Sequence, residues 1–164
     1  MPSYGLGVDI GGVIIRRSYG DDDTSFHVNF LETPEVPHAI ESIYGITNSI
    51  FGQNVYLVSK CGPKVEALTR EWLNSRDFFQ RSSIPSSNIR FCRKRDEKAH
   101  ICESLGITHF VDDRLEVLSY LNSVENLYLF QPQKDEVLRF AQHLDRVHVV
   151  SSWIELKREL VPAD

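Results

Sequence analysis

The chain has 164 residues and a formal net charge of −5 at pH 7, and 41% of its residues are hydrophobic. This length suits one domain with a sizeable core, so we expect residues 1–164 to form a single domain. The acidic balance argues against specific nucleic-acid binding through a basic surface. Three cysteines at no metal-ligand or disulfide spacing, with no signal peptide or membrane-spanning stretch, favour a cytoplasmic protein without a membrane partner.

The stretch from Leu6 to Ile15 contains two apolar runs separated by one carboxylate and two glycines. The first run predicts a buried strand, and Asp9 follows at its end. Ionised carboxylates are seldom buried without a partner. Gly11 and Gly12 allow a sharp turn that brings backbone N–H groups close to an anion. Asp9 is therefore predicted to lie in a site at the carboxyl end of a central parallel strand, where ligands bind in open α/β sheets.

Residues 17–51 are predicted to hold a flap and a helix, which make them an insertion rather than a separate cap domain. Alternating apolar residues at 26–30 predict a strand that pairs with residues 13–17. Helical spacing then predicts a helix that is entered between Thr33 and Pro37, with its capping residue left open, and that ends at Gly52. The side chains expected on its buried stripe are Val36, Ile40, Ile43, Tyr44, Ile50 and Phe51.

The remainder of the chain alternates between short apolar runs and helical patterns. Strands are predicted at residues 55–59, 89–92, 108–111, 127–130 and 147–150. The residues expected on the buried faces of the intervening helices are Val65, Leu68, Trp72, Ile101, Cys102, Leu105, Leu115, Leu118 and Leu121. This alternation predicts a mainly parallel sheet of five or six strands covered on both faces, a three-layer α/β/α sandwich.

Several residues are typical helix boundaries. Pro63 suits the first turn of a helix, Asp96 can cap the next one, and Gly106 can end it. Another helix is predicted near residues 133–144. Ser152 and Glu155 form a capping-box pattern at the start of the last helix.

Four polar features follow successive strands or open the next helix: Asp9, Ser59, Lys98 and the pair Asp112–Asp113. They should converge because the carboxyl ends of parallel strands share one edge of the sheet. Grouped carboxylates favour a hard divalent cation such as Mg²⁺. A hydroxyl, an ammonium and glycine N–H groups favour a phosphate. An Asp within reach of both can act as a nucleophile towards phosphorus and form an aspartyl-phosphate.

In this order, the four features resemble the haloacid dehalogenase superfamily, which is dominated by Mg²⁺-dependent phosphatases. The resemblance covers nearly the whole chain. It implies a Rossmann-like sheet without a large cap and a phosphohydrolase that acts on a phosphate monoester through an aspartyl-phosphate on Asp9. The expected substrate is a phosphorylated small molecule or macromolecule. Because the site would be open, a partner or a homo-oligomer is a candidate cover for it.

The resemblance also implies roles for individual residues. Asp9 would be the nucleophile, and Lys98 would offset the charge between this carboxylate and the phosphoryl group. The implied phosphate-binding residues are Ile10, Gly11, Ser59, Lys60 and Lys98. The implied Mg²⁺ ligands are Asp9, the carbonyl of Gly11, Asp112 and Asp113, the acidic pair acting directly or through water.

Gly11 departs from the family pattern, which commonly has a second Asp at this position as general acid and base. Positioned acid–base groups contribute about 10²–10⁴-fold to rate. The protein is therefore an enzyme for phosphates with good leaving groups, an enzyme with a substitute acid, or a weak or inactive domain that binds phosphate or a partner. The candidate substitutes are Asp21, Asp22, Asp23 and His27.

Each candidate also has a simpler interpretation. Ser59 and Asp113 could cap the helices that follow them, and Lys94 is a rival of Lys98. The basic run from Arg93 to Arg95 could attract an anionic substrate or lie on a solvated face. Cys61 is interpreted as an incidental thiol, because no His lies near it in sequence.

Two other functions are disfavoured. Response-regulator receivers also use Asp, Mg²⁺ and Lys, but their acidic pair comes first in the chain. Haloacid dehalogenation is disfavoured because the segment between the first two strands is too short for a sizeable cap.

Overall fold

A six-stranded, all-parallel sheet forms the middle layer of the molecule, and its strand order is β3-β2-β1-β4-β5-β6. The computed structural model describes residues 3–17 and 30–162. The strands are β1 (Leu6–Val8), β2 (Val55–Lys60), β3 (Ile89–Cys92), β4 (His109–Asp112), β5 (Asn126–Phe130) and β6 (Val147–Val150). The predicted three-layer α/β/α sandwich with a Rossmann-like sheet is confirmed.

Helices connect the strands and cover both faces of the sheet. They are α1 (Ala39–Thr47), α2 (Pro63–Ser75), α3 (Phe78–Ser82), α4 (Glu97–Leu105), α5 (Leu115–Tyr120), α6 (Lys134–Arg139) and α7 (Trp153–Leu160). Two 3₁₀ segments lie at Phe30–Glu32 and Ala141–Arg146. Within the described residues, no large cap stands over the carboxyl edge of the sheet, as predicted.

The central position of β1 decides where the site lies. This strand is fully buried and pairs with β2 on one side and β4 on the other. The chain runs outward from β1 to β3 and then returns to the other side of β1 at β4. Such a reversal of strand order opens a crevice at the carboxyl ends of the strands. Asp9 comes immediately after β1 and therefore lies in this crevice.

Two apolar layers hold the sandwich together, one on each face of the sheet. The layer beneath α1, α2, α3 and α7 contains the fully buried Trp72, Phe78 and Trp153. The layer beneath α4, α5 and α6 includes Cys102 and Leu118. Burying one large apolar side chain contributes about 1.5–3 kcal/mol, so these layers supply most of the folding free energy.

Both tryptophans tie segments near the site to the core. The indole N–H of Trp153 donates to the carbonyl of Val13 at 2.7 Å, and that of Trp72 donates to the carbonyl of Thr33 at 2.8 Å. Buried tryptophan N–H groups need such partners. These bonds anchor the turn after Asp9 and the segment that precedes α1.

Three of the predicted helix boundaries are confirmed. Pro63 begins α2, and Gly106 ends α4 with a φ of 68°, a left-handed conformation that glycine adopts readily. The Ser152 hydroxyl accepts from the N–H of Glu155 at 3.1 Å. In a capping box the Glu155 carboxylate would accept from the N–H of Ser152. Here it accepts from the N–H of Ser151 instead, at 3.0 Å.

Four local predictions are wrong in detail. Asp96 precedes α4 without a side-chain cap, and the Glu97 carboxylate instead accepts from the N–H of Lys94 at 2.7 Å. Helix α1 ends at Thr47, so the helical stripe does not extend to Ile50, which is 55% exposed. Tyr44 lies at the solvent edge of α1 and is 52% exposed. The helix predicted near 133–144 is interrupted at Phe140, where a 3₁₀ segment follows α6.

The predicted strand at 26–30 lies almost wholly outside the described residues. Only its last residue, Phe30, is described, and it belongs to a 3₁₀ segment.

A buried carboxylate that sequence reasoning missed holds the start of α5. Glu136 is 3% exposed, and its two oxygens accept from the N–H groups of Leu115 and Glu116, both at 2.8 Å. The first N–H groups of a helix have no partner within the helix. Glu136 therefore positions the helix that follows the Asp112–Asp113 pair.

Among the described residues, no helix combines the length and the apolar character that a bilayer crossing requires.

The first prediction concerns the close packing of β1 against β4. A Cβ atom on Gly7 would lie 2.4 Å from a ring carbon of Phe110, which is fully buried. We expect Gly7→Ala to lower the free energy of unfolding in urea by about 1–3 kcal/mol through overpacking. Gly62→Ala is the control, because Gly62 has an ordinary φ of −78° and nothing within 4 Å of the added Cβ. Equal losses in the two variants would contradict this packing argument.

Candidate active site

The structure brings the four predicted polar features together. Asp9, Ser59 and Asp112 lie at the carboxyl ends of β1, β2 and β4, and Lys98 lies in the first turn of α4. Together with Asp113, these side chains line one cavity of about 400 Å³. All five are buried, with exposures of 7% or less.

Lys98 bridges two of the carboxylates. Its Nζ donates to Oδ1 of Asp9 at 3.0 Å and to Oδ2 of Asp112 at 2.8 Å. Burial lowers the pKa of Lys98, but the two carboxylates outweigh burial and raise this pKa above its ordinary value. The ammonium is therefore charged at neutral pH. Its rival Lys94 is exposed and does not line this cavity, so Lys98 is the lysine that joins the cluster.

Three carboxylates form one cluster. Oxygen atoms of Asp9, Asp112 and Asp113 all lie within 4.8 Å of one another. Burial and the charge of Asp112 raise the pKa of Asp9 well above its ordinary value, although Lys98 opposes them. Burial raises the pKa of Asp112 to about 6, because Lys98 offsets it only in part and Asp113 adds to it. The cluster therefore repels further negative charge and favours a cation.

Asp113 is held by Arg17, whose guanidinium forms an ion pair with Oδ2 of this carboxylate. The cluster thus has three carboxylates and two paired cations, so it carries one unit of negative charge when all three carboxylates are ionised. Asp113 does not cap the following helix, because the residue before α5 is Arg114. The Arg114 N–H donates instead to Oδ1 of Asp112 at 3.0 Å.

The cluster fits a hard divalent cation. Carboxylate and carbonyl oxygens are the ligands that Mg²⁺ and Ca²⁺ take in proteins, and the excess negative charge matches a cation. The carbonyl of Gly11 accepts no hydrogen bond within residues 3–17 and 30–162, so it is free to serve as a further ligand.

The turn after Asp9 needs a glycine at one position. Gly12 has a φ of 83°, and a Cβ there would lie 2.2 Å from Oδ2 of Asp113. Gly11 has open space around it, with nothing within 4 Å of an added Cβ. Within the described ranges, the N–H groups of Ile10 and Gly11 have no hydrogen-bond acceptor. Adjacent unpaired N–H groups of this kind bind anions.

Ser59 does not cap a helix, because α2 begins after Gly62. Its side chain lines the cavity beside the exposed Lys60. Burial raises the pKa of the neighbouring Cys61 thiol, although a hydrogen bond with Ser59 opposes this. The thiol is therefore protonated at neutral pH and a poor nucleophile, which agrees with its interpretation as incidental.

Cations that sequence reasoning missed line the rest of the cavity. They are Arg16, Arg17 and Arg114, with Gln133 as a further polar lining residue. No local sequence pattern identifies these residues, because their positions in the cavity depend on contacts between distant parts of the chain. In the basic run, Arg93 pairs with Glu66 and does not line the cavity, whereas Arg95 lines the cavity and pairs with Glu116 at 3.0 Å. The candidate acids Asp21, Asp22, Asp23 and His27 lie outside the described residues.

The chain shows distant similarity to proteins already known. A protein of Oceanobacillus iheyensis named as a putative nucleotidase is 25% identical over 113 residues, which are 68% of this chain and 56% of that protein. The match thus spans little more than half of that protein's length. No protein-family model matches the chain.

Among solved structures, a de novo designed protein with a Rossmann 3x3 fold aligns with a TM-score of 0.46 at 11% identity. The alignment covers 97% of this chain and 95% of the designed chain. The strand order of the parallel sheet, and not this similarity, defines the fold.

The second prediction is a pH dependence of stability. In EDTA, the pKa of Asp112 is about 6 when folded and near 3.8 when unfolded, so the folded state binds more protons between these values. The free energy of unfolding should therefore fall as pH rises from about 4 to 7, by on the order of 1–3 kcal/mol. Asp112→Asn should reduce this fall in urea titrations, whereas the exposed Asp145→Asn should not. A fall of the same size in Asp112→Asn would contradict the assignment.

The third prediction concerns metal binding. Mg²⁺ at about 100 times its Kd should stabilise the folded protein by roughly 2.7 kcal/mol and raise Tm by roughly 5–10 °C relative to EDTA. Asp9→Asn and Asp112→Asn should lose most of this rise in differential scanning fluorimetry at pH 7. Asp145→Asn should keep it, and a rise that survives in all three variants would place the metal elsewhere.

Proposed function

We propose that this protein is a Mg²⁺-dependent phosphohydrolase that cleaves phosphate monoesters through an aspartyl-phosphate on Asp9. The observation that carries the proposal is the buried Lys98, which bridges Asp9 and Asp112 inside an acidic cluster at the carboxyl edge of the sheet. The nucleotidase name of the distant relative supports the same class of reaction.

Asp9 is the proposed nucleophile. Lys98 contacts its Oδ1, so Oδ2 is not occupied by that hydrogen bond and can attack phosphorus. The buried ammonium also opposes the effect of burial on the pKa of this carboxylate and so favours its ionised, nucleophilic form. A carboxylate nucleophile splits hydrolysis into two easier steps.

Hydrolysis on Asp9 proceeds in two displacements. In the first, a carboxylate oxygen bonds to phosphorus, and the electron pair of the broken P–O bond goes to the leaving oxygen. In the second, water attacks phosphorus, the electron pair returns to the Asp9 carboxylate, and the water proton passes to the phosphate product.

The phosphoryl group would lie between the turn after β1 and the end of β2. The N–H groups of Ile10 and Gly11, the hydroxyl of Ser59 and the ammonium of Lys98 are its proposed donors. Lys60 is the proposed outer cation, since it lines the cavity and is exposed. Fixed donors aimed at a phosphoryl group stabilise the charge that develops during transfer.

Asp9, Asp112, Asp113 and the Gly11 carbonyl would hold Mg²⁺. When bound, the ion supplies positive charge against the phosphoryl oxygens. Arg17 keeps Asp113 in place beside Gly12, where any side chain would displace this carboxylate.

A second candidate is a phosphate-binding domain without turnover. The observation in its favour is Gly11, which has no proton to give to a leaving alcohol. An assay with p-nitrophenyl phosphate and Mg²⁺ separates the two functions. Mg²⁺ binding without hydrolysis of any phosphorylated compound would favour the second candidate.

The fourth prediction is that Asp9→Asn abolishes hydrolysis of p-nitrophenyl phosphate. Loss of an enzyme nucleophile lowers kcat by orders of magnitude, so we expect a fall of at least about 10³-fold. Asp145→Asn changes the same kind of group on the surface and should leave kcat unchanged. Full activity in a folded Asp9→Asn protein would contradict the proposal.

A further inference from the structure

The cavity is lined by several cations that form no ion pair with the acidic cluster. Lys98 is paired with Asp9 and Asp112, Arg17 with Asp113, and Arg95 with Glu116. The other cationic lining residues are Arg16, Lys60 and Arg114. Within residues 3–17 and 30–162, none of these three forms an ion pair. This concentration of positive charge is local, because the chain as a whole has a net charge of −5.

A monoester dianion alone does not account for these cations. With its three carboxylates ionised, the acidic cluster with its paired Lys98 and Arg17 carries one unit of negative charge, and a divalent cation would turn this into one positive unit. A phosphoryl dianion then returns the centre to one negative unit. Lys60 alone can balance this remainder, which leaves Arg16 and Arg114 for a second anionic group.

The absence of a side chain at Gly11 also favours a substrate whose leaving group is an anion. An alkoxide leaving group needs a proton in the transition state, and no side chain is present at Gly11 to supply it. A carboxylate has a pKa of roughly 4, and the second pKa of a phosphate is about 6. Such leaving groups depart as stable anions at neutral pH and require no proton donor.

We propose that the substrate carries its terminal phosphoryl group in an anhydride linkage and that Arg16 and Arg114 bind the anionic leaving group. This inference rests on the proposed function and narrows its substrate to acyl phosphates or phosphoanhydrides. Asp9 bonds to phosphorus, the bond from phosphorus to the bridging oxygen breaks, and its electron pair leaves with the carboxylate or phosphate. Water then releases phosphate from Asp9, as in the proposed hydrolysis.

The test is a leaving-group series with the full chain and Mg²⁺. The substrates are acetyl phosphate, inorganic pyrophosphate, p-nitrophenyl phosphate and glycerol phosphate, with Asp9→Asn as the background. We expect kcat/KM for at least one anhydride to exceed that for glycerol phosphate by about 10² or more. The faster of the two anhydrides identifies the source of the anion. Preference for glycerol phosphate, or equal rates, would overturn the inference and leave the proposed function standing.

Two kinds of variant test whether the two arginines and Gly11 cause the preference for anhydrides. Arg16→Gln and Arg114→Gln should each lower kcat/KM for the preferred anhydride at least fivefold more than for p-nitrophenyl phosphate. The loss should fall on KM if pyrophosphate is preferred, because its leaving group is already charged, and on kcat if acetyl phosphate is preferred, because its leaving group gains charge only during cleavage. Arg139→Gln removes an exposed arginine outside the cavity and should alter neither substrate. Gly11→Asp fits the open space at this position and should shrink the preference over glycerol phosphate about tenfold or more.

The outcomes separate this inference from the proposed function. Equal losses on both substrates in the arginine variants would overturn the inference, because they would indicate a general effect on the site. Failure of the wild-type protein to hydrolyse any of the four compounds would contradict the proposed function, and the inference with it.

Discussion

The buried ammonium of Lys98 between Asp9 and Asp112 is the interaction on which the site depends. Strands β1 and β4 are neighbours, so the two carboxylates at their ends lie close together and repel each other. Lys98 comes from α4 and is hydrogen-bonded to both. Removing one partner of a buried ion pair costs about 3–5 kcal/mol, because the other charge stays buried. The sheet edge and the first turn of α4 are thereby held in one arrangement.

The charge of Lys98 does not fully offset the burial and mutual repulsion of the carboxylates in the cluster. Burial keeps the pKa of Asp9 and of Asp112 above ordinary values even with the ammonium in contact. A structural ion pair would be expected to lower both. The surplus repulsion is a cost to folding that a bound cation can remove, and groups perturbed in this way are typical of functional sites.

The lining of the cavity combines acidic and basic side chains. Its acidic floor consists of the three carboxylates with Lys98 and Arg17, and its wall carries Arg16, Lys60 and Arg114. Gly11 lines the same cavity, with nothing within 4 Å of an added Cβ. A substrate with a phosphoryl group and a leaving group that departs as an anion suits this combination of charges. The proposals for function and for substrate therefore depend on one geometry.

The sequence by itself determined the order of strands and helices and the positions of Asp9, Ser59, Lys98 and Asp112–Asp113. These follow from local patterns, since apolar runs become buried strands and the carboxyl ends of parallel strands share one edge. Only the tertiary structure decided that Lys98 rather than Lys94 is buried, that Arg17 holds Asp113, and that Glu136 starts α5. Each of these contacts joins residues far apart in the chain, and no periodicity or spacing encodes such a pairing. Arg16 and Arg114, which also line the cavity, were missed for the same reason.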